Sequence, residues 1–503
     1  MSTRFRQAFW GFVSDVGGST LLVVFTFAAT PVILKLTSQS LYGFWLAVLS
    51  VLGYFGLADL GFGLALTRAV AERPDDTGAA SKGLISTAFW IFCLGGLFVC
   101  LAGLAIAGFI PRWFHVPAQD TELVLSAYRI AIVSGGISLT LSVFPAILVG
   151  MHRMALVNNL RNSAAIAAIG VSIAFLYLHL SVIALALGYM LNVALVGAVS
   201  AYSVFRSLPE LSLGPSLFNR SDCRKLWEFG GYFQGGKVAS IIAGNTDPVV
   251  IAMFLGAAAV TPYTLTSKLA IFISISLASK LPIALFPALS EMFARQDTEK
   301  IQRTLLLLTY YSTRLAVVGA AFLVVANREF VSLWVGSASF GGTALNLVFV
   351  YWVLQDTIIR GSGVVIQASG DLRKWAAASL YEAAANVISS ILLVRYIGLV
   401  GVALGTSIAR TPSGLYILHY TCKKIGLPWK RLLSEGVVRP FMKSLPAAAA
   451  AVALWFLTPS GWGWGRLAGF GLLLAMGNVI TFEGVRKLLN PRELFRFSSL
   501  VSM

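Results

Sequence analysis

The sequence predicts an all-α polytopic membrane protein of about fourteen transmembrane helices: two six-helix lobes related by a pseudo-twofold axis, then two C-terminal helices. Three observations carry this. Of 503 residues, 57% are hydrophobic and 12% charged, with mean hydropathy +0.81, whereas a soluble domain usually carries about 25% charge. Apolar runs that meet the need for about 20 residues per crossing recur along the whole chain. Basic residues concentrate in alternate loops, as membrane orientation demands.

The first span, 11–34, follows Arg4 and Arg6. It exceeds a secretory core of about 7–15 residues, so it is expected to be retained as a helix. Further spans follow at 41–66, 83–109, 121–149, 155–178 and 181–204, closing an N-lobe over 1–205. A polar stretch, 206–226, is expected as a cytoplasmic linker. The C-lobe, 227–422, holds spans 227–256, 260–289, 304–326, 341–369, 375–396 and 398–419. The segment 423–503 adds spans 440–457 and 464–485 and a cytoplasmic tail.

Loop charge tests that count. Loops on one side hold twenty-four Lys and Arg, including Arg68, Arg153, Arg224, Arg295, Lys374 and Lys424; the other side holds five: Lys35, Arg112, Arg328, Arg395 and Arg466. The bias puts both termini in the cytoplasm. It also explains the net charge of +17 without nucleic acid. The cysteines Cys93, Cys100, Cys223 and Cys422 and the four histidines show no metal-ligand spacing, so neither a disulfide framework nor a metal site is expected. "GFIPRWFHVP" (108–117) and "PSGWGWGR" (459–466) read as interfacial turns with aromatic anchors.

The segment from Gly231 to Lys237 nearly spells a phosphate-binding loop. Val238 stands where a magnesium-holding hydroxyl belongs, and no buried strand precedes the glycine. Lys237 therefore reads as a cation inside a membrane helix, with no ATP site. The two lobes repeat: "VGMHRMA" (149–155) precedes "ALALGY" (184–189), as "SGDLRKW" (369–375) precedes "GVALGT" (401–406). An even helix count in each half gives parallel repeats about an axis along the membrane normal, which usually enclose a cavity and rock.

The stretch "LYGFWLAVLSVLGYFGLADLGFGLALTRAVAE" (41–72), with its tyrosine-glycine entry, late "DLGFG" and exit arginine, resembles the second-helix signature of polysaccharide transporters. These belong to the multidrug/oligosaccharidyl-lipid/polysaccharide exporter superfamily. The counterpart from "VTPYTLTSKLAIF" to "LFPALSEMFAR" is similar to that family too. The resemblance implies a flippase of a bacterial inner membrane, not an enzyme. It would move undecaprenyl-pyrophosphate-linked oligosaccharide, such as O-antigen or exopolysaccharide units, to the outer leaflet by alternating access. Polysaccharide polymerase and chain-length machinery would be its partners. The alternatives are a drug/cation antiporter of the same superfamily, a lipid II flippase, and a membrane glycosyltransferase or polymerase, the last disfavoured by short external loops.

Such a cargo has an anionic head that needs a wet, cationic cavity. Lys237, Arg314 and Arg410 lie ten to thirteen residues into their spans, near the midplane at 1.5 Å per residue. A cation there costs about 2.5–3.5 kcal/mol if it faces lipid, so these three are expected to contact phosphate or to form buried pairs. Lys268 and Arg129 in the outer half, and Lys280 and Arg360 in the inner half, could hand the anion along. Arg360 follows Asp356 by one helical turn, which equally suits an intrahelical ion pair, and Lys280 can snorkel. Among the buried acids, Asp15 and Asp59 are candidates for coupling to H+ or Na+, against a plain salt bridge; Asp356 and Glu382 complete the set with Asp247. Asp247 and Pro248 form a candidate gate or hinge, or an ordinary proline bend. No cofactor is expected: a membrane potential would assist an anion by about 2.3 kcal/mol per charge per 100 mV.

Overall fold

The computed structural model describes residues 3–59, 61–72, 79–459 and 463–480, with side chains described at 17–59, 61–72, 82–224, 236–459 and 463–479. Every described element is helical. The chain forms two compact units, Met1–Thr261 and Pro262–Met503.

In the first unit, α1 spans Thr3–Leu36, α2 Gln39–Gly53, α3 Phe62–Glu72, α4 Ala79–Ala105, α5 Thr121–Leu141, α6 Val143–Gly150, α7 Met154–Tyr177, α8 Ser181–Ser207 and α9 Arg220–Leu255. Ser38 caps α2, its Oγ accepting from Leu41 N at 3.1 Å, which satisfies one of the open N–H groups of a helix start. The predicted span 41–66 is not continuous. It breaks through a 3₁₀ turn at Tyr54–Leu57 and a positive-φ Gly61 (φ 80) before α3 begins. Asp59 sits in that break. Phe62, Leu66, Phe92, Phe144 and Ile147 make the core. On α4, Leu94, Phe98 (71% exposed) and Leu101 recur at helical spacing and remain open, as side chains facing lipid should.

Helix α9 packs on α2 and α3. The first compact unit accordingly runs on through α9 to Thr261. The reason is chemical. Tyr54 Oη and Thr246 Oγ1 are 2.9 Å apart, Lys237 bonds Asp59, and Gly53 admits Asn245 so closely that a Cβ would lie 2.2 Å from its Oδ1. The predicted turn at 108–117 also docks here, Phe114 O accepting from Ala257 N at 2.9 Å. His115, His152 and His179 all occupy positive-φ turn positions (φ 49, 61 and 63).

Helix α10 (Ala257–Ile271) starts before the unit boundary and leads into a π-helical segment, Phe272–Leu277; the second unit continues with α11 (Phe286–Ala294), α12 (Thr298–Val335), α13 (Thr343–Ala368), α14 (Leu372–Lys424), α15 (Arg439–Leu457) and α16 (Trp464–Ile480). Helix α14 folds back at Ile397 and Gly398 (φ 59), where glycine takes the left-handed backbone cheaply. Among the described residues eleven helical segments are long and apolar enough to cross a membrane. Helix α14 divides into two arms, and α13 and α16 are helices at two further positions where the sequence places spans.

The repeated marks acquire a shared structural role. Gly188 meets Ser172 across the α7/α8 hairpin, and Gly405 meets Ser390 across the α14 hairpin; a Cβ would lie 1.9 Å from Ser172 Oγ and 2.6 Å from Ser390 N. Each glycine lets two helices approach at backbone distance. The C-terminal pair α15 and α16 packs on α12 through Val317, Ala326, Trp455, Phe470 and Leu474.

Candidate functional site

In the first unit, the break between α2 and α3 presents Asp59 to α9. Its Oδ1 accepts from Gly63 N at 2.8 Å, capping α3, and its Oδ2 accepts from Lys237. Lys237 keeps 45% of its side chain exposed and Asp59 15%, so Lys237 is an accessible cation with a tethered counter-charge. Further along α9, Asn245 and Thr246 bond the carbonyls of Ile241 and Ile242 at 2.7 Å each. The helix runs on through Pro248, whose missing N–H leaves the Gly244 carbonyl without its intrahelical donor. Arg129 lies exposed on α5, and among the described residues no carboxylate pairs with it. Asp15 lies outside the described side chains.

The second unit holds a four-membered charge network. Asp356 on α13 is 4% exposed and serves as hub: Arg410 reaches its Oδ1 at 2.8 Å, while Arg360 and the Ser274 hydroxyl both donate to Oδ2. Arg410 also donates through one terminal nitrogen to both oxygens of Glu382, at 2.9 and 3.2 Å, and Glu382 accepts from Ser413 Oγ at 2.5 Å. Two guanidiniums and two carboxylates cancel, which is how ionised groups are tolerated at membrane depth. A polar ladder continues beside it. Thr411 Oγ1 donates to Gln355 Oε1 at 2.8 Å and lies 3.0 Å from Tyr351 Oη, and Gln355 donates to the Ser407 carbonyl at 3.2 Å.

The α14 hairpin sets this geometry. Glu382 pairs with Arg410, Thr406 reaches Asn386 at 3.4 Å, and Ser390 reaches the Val402 carbonyl at 3.3 Å. Each pair is symmetric about position 396, one helical turn apart. Ser274, by contrast, is delivered by the π-helical segment; such segments hold an extra residue per turn and are frequent at functional sites.

The predicted cations thus separate. Arg360 and Arg410 come together on Asp356. Arg314 does not join them: it is 3% exposed, and it bonds Asn478 of α16 through its side-chain oxygen at 2.7 Å and its carbonyl, and Tyr310 Oη at 3.2 Å. Lys268 and Lys280 flank the π segment, both half-buried, and among the described residues no carboxylate pairs with either. Sequence reasoning did not assign Glu382, Ser274 or Ser413 to the site. Helical spacing linked Asp356 to Arg360, but only the hairpin register links Glu382 to Arg410.

A sequence model of the polysaccharide biosynthesis protein family matches residues 8–293, more than half of the chain. The chain belongs to that family. No curated protein sequence matches it. Among solved structures, the lipid II flippase MurJ in an inward closed conformation aligns with a TM-score of 0.69 at 14% identity, over 94% of this chain and 99% of its own. An inward-facing MATE family multidrug resistance transporter of the MOP superfamily gives 0.60 at 17% identity, over 78% and 98%. A MOP superfamily transporter from Pyrococcus furiosus, reported with a binding pocket of reversed polarity, gives 0.56 at 14%, over 86% and 97%. At these identities the likeness is one of fold, and this member of the polysaccharide biosynthesis family is a multi-pass membrane protein with the MurJ/MATE-like transporter fold.

Proposed function

We propose that the protein is a flippase that carries polyprenyl-diphosphate-linked oligosaccharide from the cytoplasmic to the outer leaflet of a bacterial inner membrane, both termini facing the cytoplasm. The observation that carries this reading is the surplus of positive charge inside the second unit. Arg360, Arg410, Lys268 and Lys280 outnumber Asp356 and Glu382, and Arg314 is already engaged elsewhere. A diphosphate head supplies the missing negative charge, and guanidinium forks match phosphate oxygens. Lys237 offers a further point charge on α9 and Arg129 another on α5. Family membership and the transporter fold support the same assignment over a polymerising enzyme. Transport needs no nucleotide, since the membrane potential favours outward movement of an anion by about 2.3 kcal/mol per charge per 100 mV.

The test is reconstitution into liposomes with a fluorescent undecaprenyl-diphosphate oligosaccharide, following its transfer between leaflets. Wild type should transfer it, and folded Arg410→Gln and Lys237→Gln variants should do so at least ten times more slowly. Gradient-driven efflux of organic cations without lipid transfer would instead make the protein a drug antiporter.

A further inference from the structure

The charge network has donors to spare. The Nε–H groups of Arg360 and Arg410 are buried and have no acceptor, although buried polar groups are nearly always satisfied. Both guanidiniums already converge on Asp356, Arg410 on Oδ1 at 2.8 Å and Arg360 on Oδ2. Two permanent positive charges therefore stand within the width of one carboxylate with unused hydrogen-bonding edges. Ser274 adds a neutral donor at the same place: its Oγ lies 3.5 Å from the Arg360 terminal nitrogen, and the π-helical backbone is what brings it there. The residual exposure of the arginines, 25% for Arg360 and 22% for Arg410, contrasts with 6% for the Asp356 side chain. The cations are reachable from outside the network and the carboxylate is not.

We infer that Arg360, Arg410 and Ser274 form a diphosphate-binding site in which Asp356 is a built-in competitor, occupying the donors when cargo is absent and retaking them when cargo leaves. This rests on the flippase reading and assigns the phosphate-binding step to one place. The anion meets the exposed parts of the two guanidiniums, draws Arg360 from Oδ2, gains the buried Nε–H groups as that ion pair opens, and takes the Ser274 hydroxyl as third donor. Asp356 keeps Arg410 through Oδ1, so no carboxylate is stranded in an apolar surround. Because two bidentate arginines would otherwise hold a diphosphate too long for turnover, the internal carboxylate serves release. Lys268 and Lys280, on either side of the π segment, supply approach and exit charge.

Removing the Asp356 charge from the site should strengthen binding. In nanodiscs, the full chain is titrated with undecaprenyl diphosphate and, separately, with inorganic pyrophosphate, and Kd and liposome transfer are measured together. Asp356→Asn should bind the lipid diphosphate about tenfold more tightly and transfer its oligosaccharide form more slowly. Arg360→Gln should bind more than tenfold more weakly. Ser274→Ala, which leaves every charge in place, should weaken binding two- to fivefold, and it preserves the test if Asp356→Asn does not fold. An unchanged or weaker Kd in folded Asp356→Asn, or an unchanged Kd in Ser274→Ala, overturns the competitor. Binding of inorganic pyrophosphate but not the lipid form overturns the lipid assignment. Transfer by wild type with no tightening in Asp356→Asn sinks this inference and leaves the flippase standing; neither binding nor transfer of the lipid by wild type sinks both.

Discussion

Replacing Asp356 with alanine would leave Arg360 and Arg410 unequally stranded, and the inequality allows a magnitude to be worked out. Arg410 keeps Glu382 at 2.9 Å, so its charge remains compensated. Among the described residues Arg360 keeps the Ser274 hydroxyl alone, at 3.5 Å. Two scales compete for the cost. Hydrogen bonds between membrane helices average about 0.6 kcal/mol by double-mutant cycles, whereas stripping one partner from a buried ion pair costs about 3–5 kcal/mol. The second applies to Arg360, because what is lost is compensation of a permanent charge; its 25% exposure permits some hydration and places the expected loss near the lower end, about 3 kcal/mol. The assay is equilibrium unfolding in mixed micelles, with Arg360→Gln and the double variant completing a cycle. Arg360→Gln should recover about half of the loss in the Asp356→Ala background, since the stranded charge goes with it. A cost below about 1 kcal/mol, or no coupling between the two sites, would refute the reasoning that Asp356 compensates Arg360.

Three other outcomes are expected. Arg314→Gln removes the bonds to Asn478 and Tyr310, so it should cost about 1.5–3 kcal/mol and hasten proteolysis within α16, with diphosphate affinity unchanged; a loss of affinity at unchanged stability would place Arg314 on the cargo instead. Gly405→Ala would set a Cβ 2.6 Å from Ser390 N, and forcing the hairpin apart should cost about 1–3 kcal/mol, read by thermal unfolding; tolerance would mean the two arms are less tightly held than described. Outside the membrane, the Tyr420 hydroxyl, then Lys424 at 3.1 Å, hold the Asp371 carboxyl below its ordinary value. A depressed carboxylate adds stability above its unfolded pKa, about 3.9, and loses it as pH falls through the lowered folded value. Tyr420→Phe should therefore lower the melting temperature by about 1 °C at neutral pH and make no difference near pH 2; an equal shift at both pH values would contradict the assignment.

The sequence made the membrane architecture legible because hydropathy and loop charge act over whole segments and tolerate local error. Its twenty-residue runs cover nearly every long helix, and the glycine marks at Gly188 and Gly405 proved to be matching close approaches. What it could not show were features whose cause is tertiary. The break at Asp59 depends on Gly61 and on contacts with α9. The π segment at Phe272–Leu277 leaves no periodic trace in so apolar a stretch. Depth alone grouped Lys237, Arg314 and Arg410, yet depth carries no azimuth: Arg314 turns toward Asn478, Arg410 toward Asp356 and Lys237 toward Asp59. The acids that partner these cations were visible as buried carboxylates, but their pairing needed the third dimension.

The fold-back at Ile397 and Gly398 works as a plumb line. With no loop to take up slack, both arms of α14 are measured from the same surface point, and Arg410, twelve residues below Gly398, hangs about 18 Å down, close to half of a hydrocarbon layer about 30 Å thick. Glu382 is suspended from the same point on the other arm, so the two cannot drift apart in depth independently. One residue added to this turn would drop one arm by about 1.5 Å and swing it through about 100°, uncoupling Arg410 from Glu382 although neither had been altered. The level in the bilayer at which the Arg410–Glu382 pair stands is thus decided at the protein's surface, by a bend that touches neither side chain.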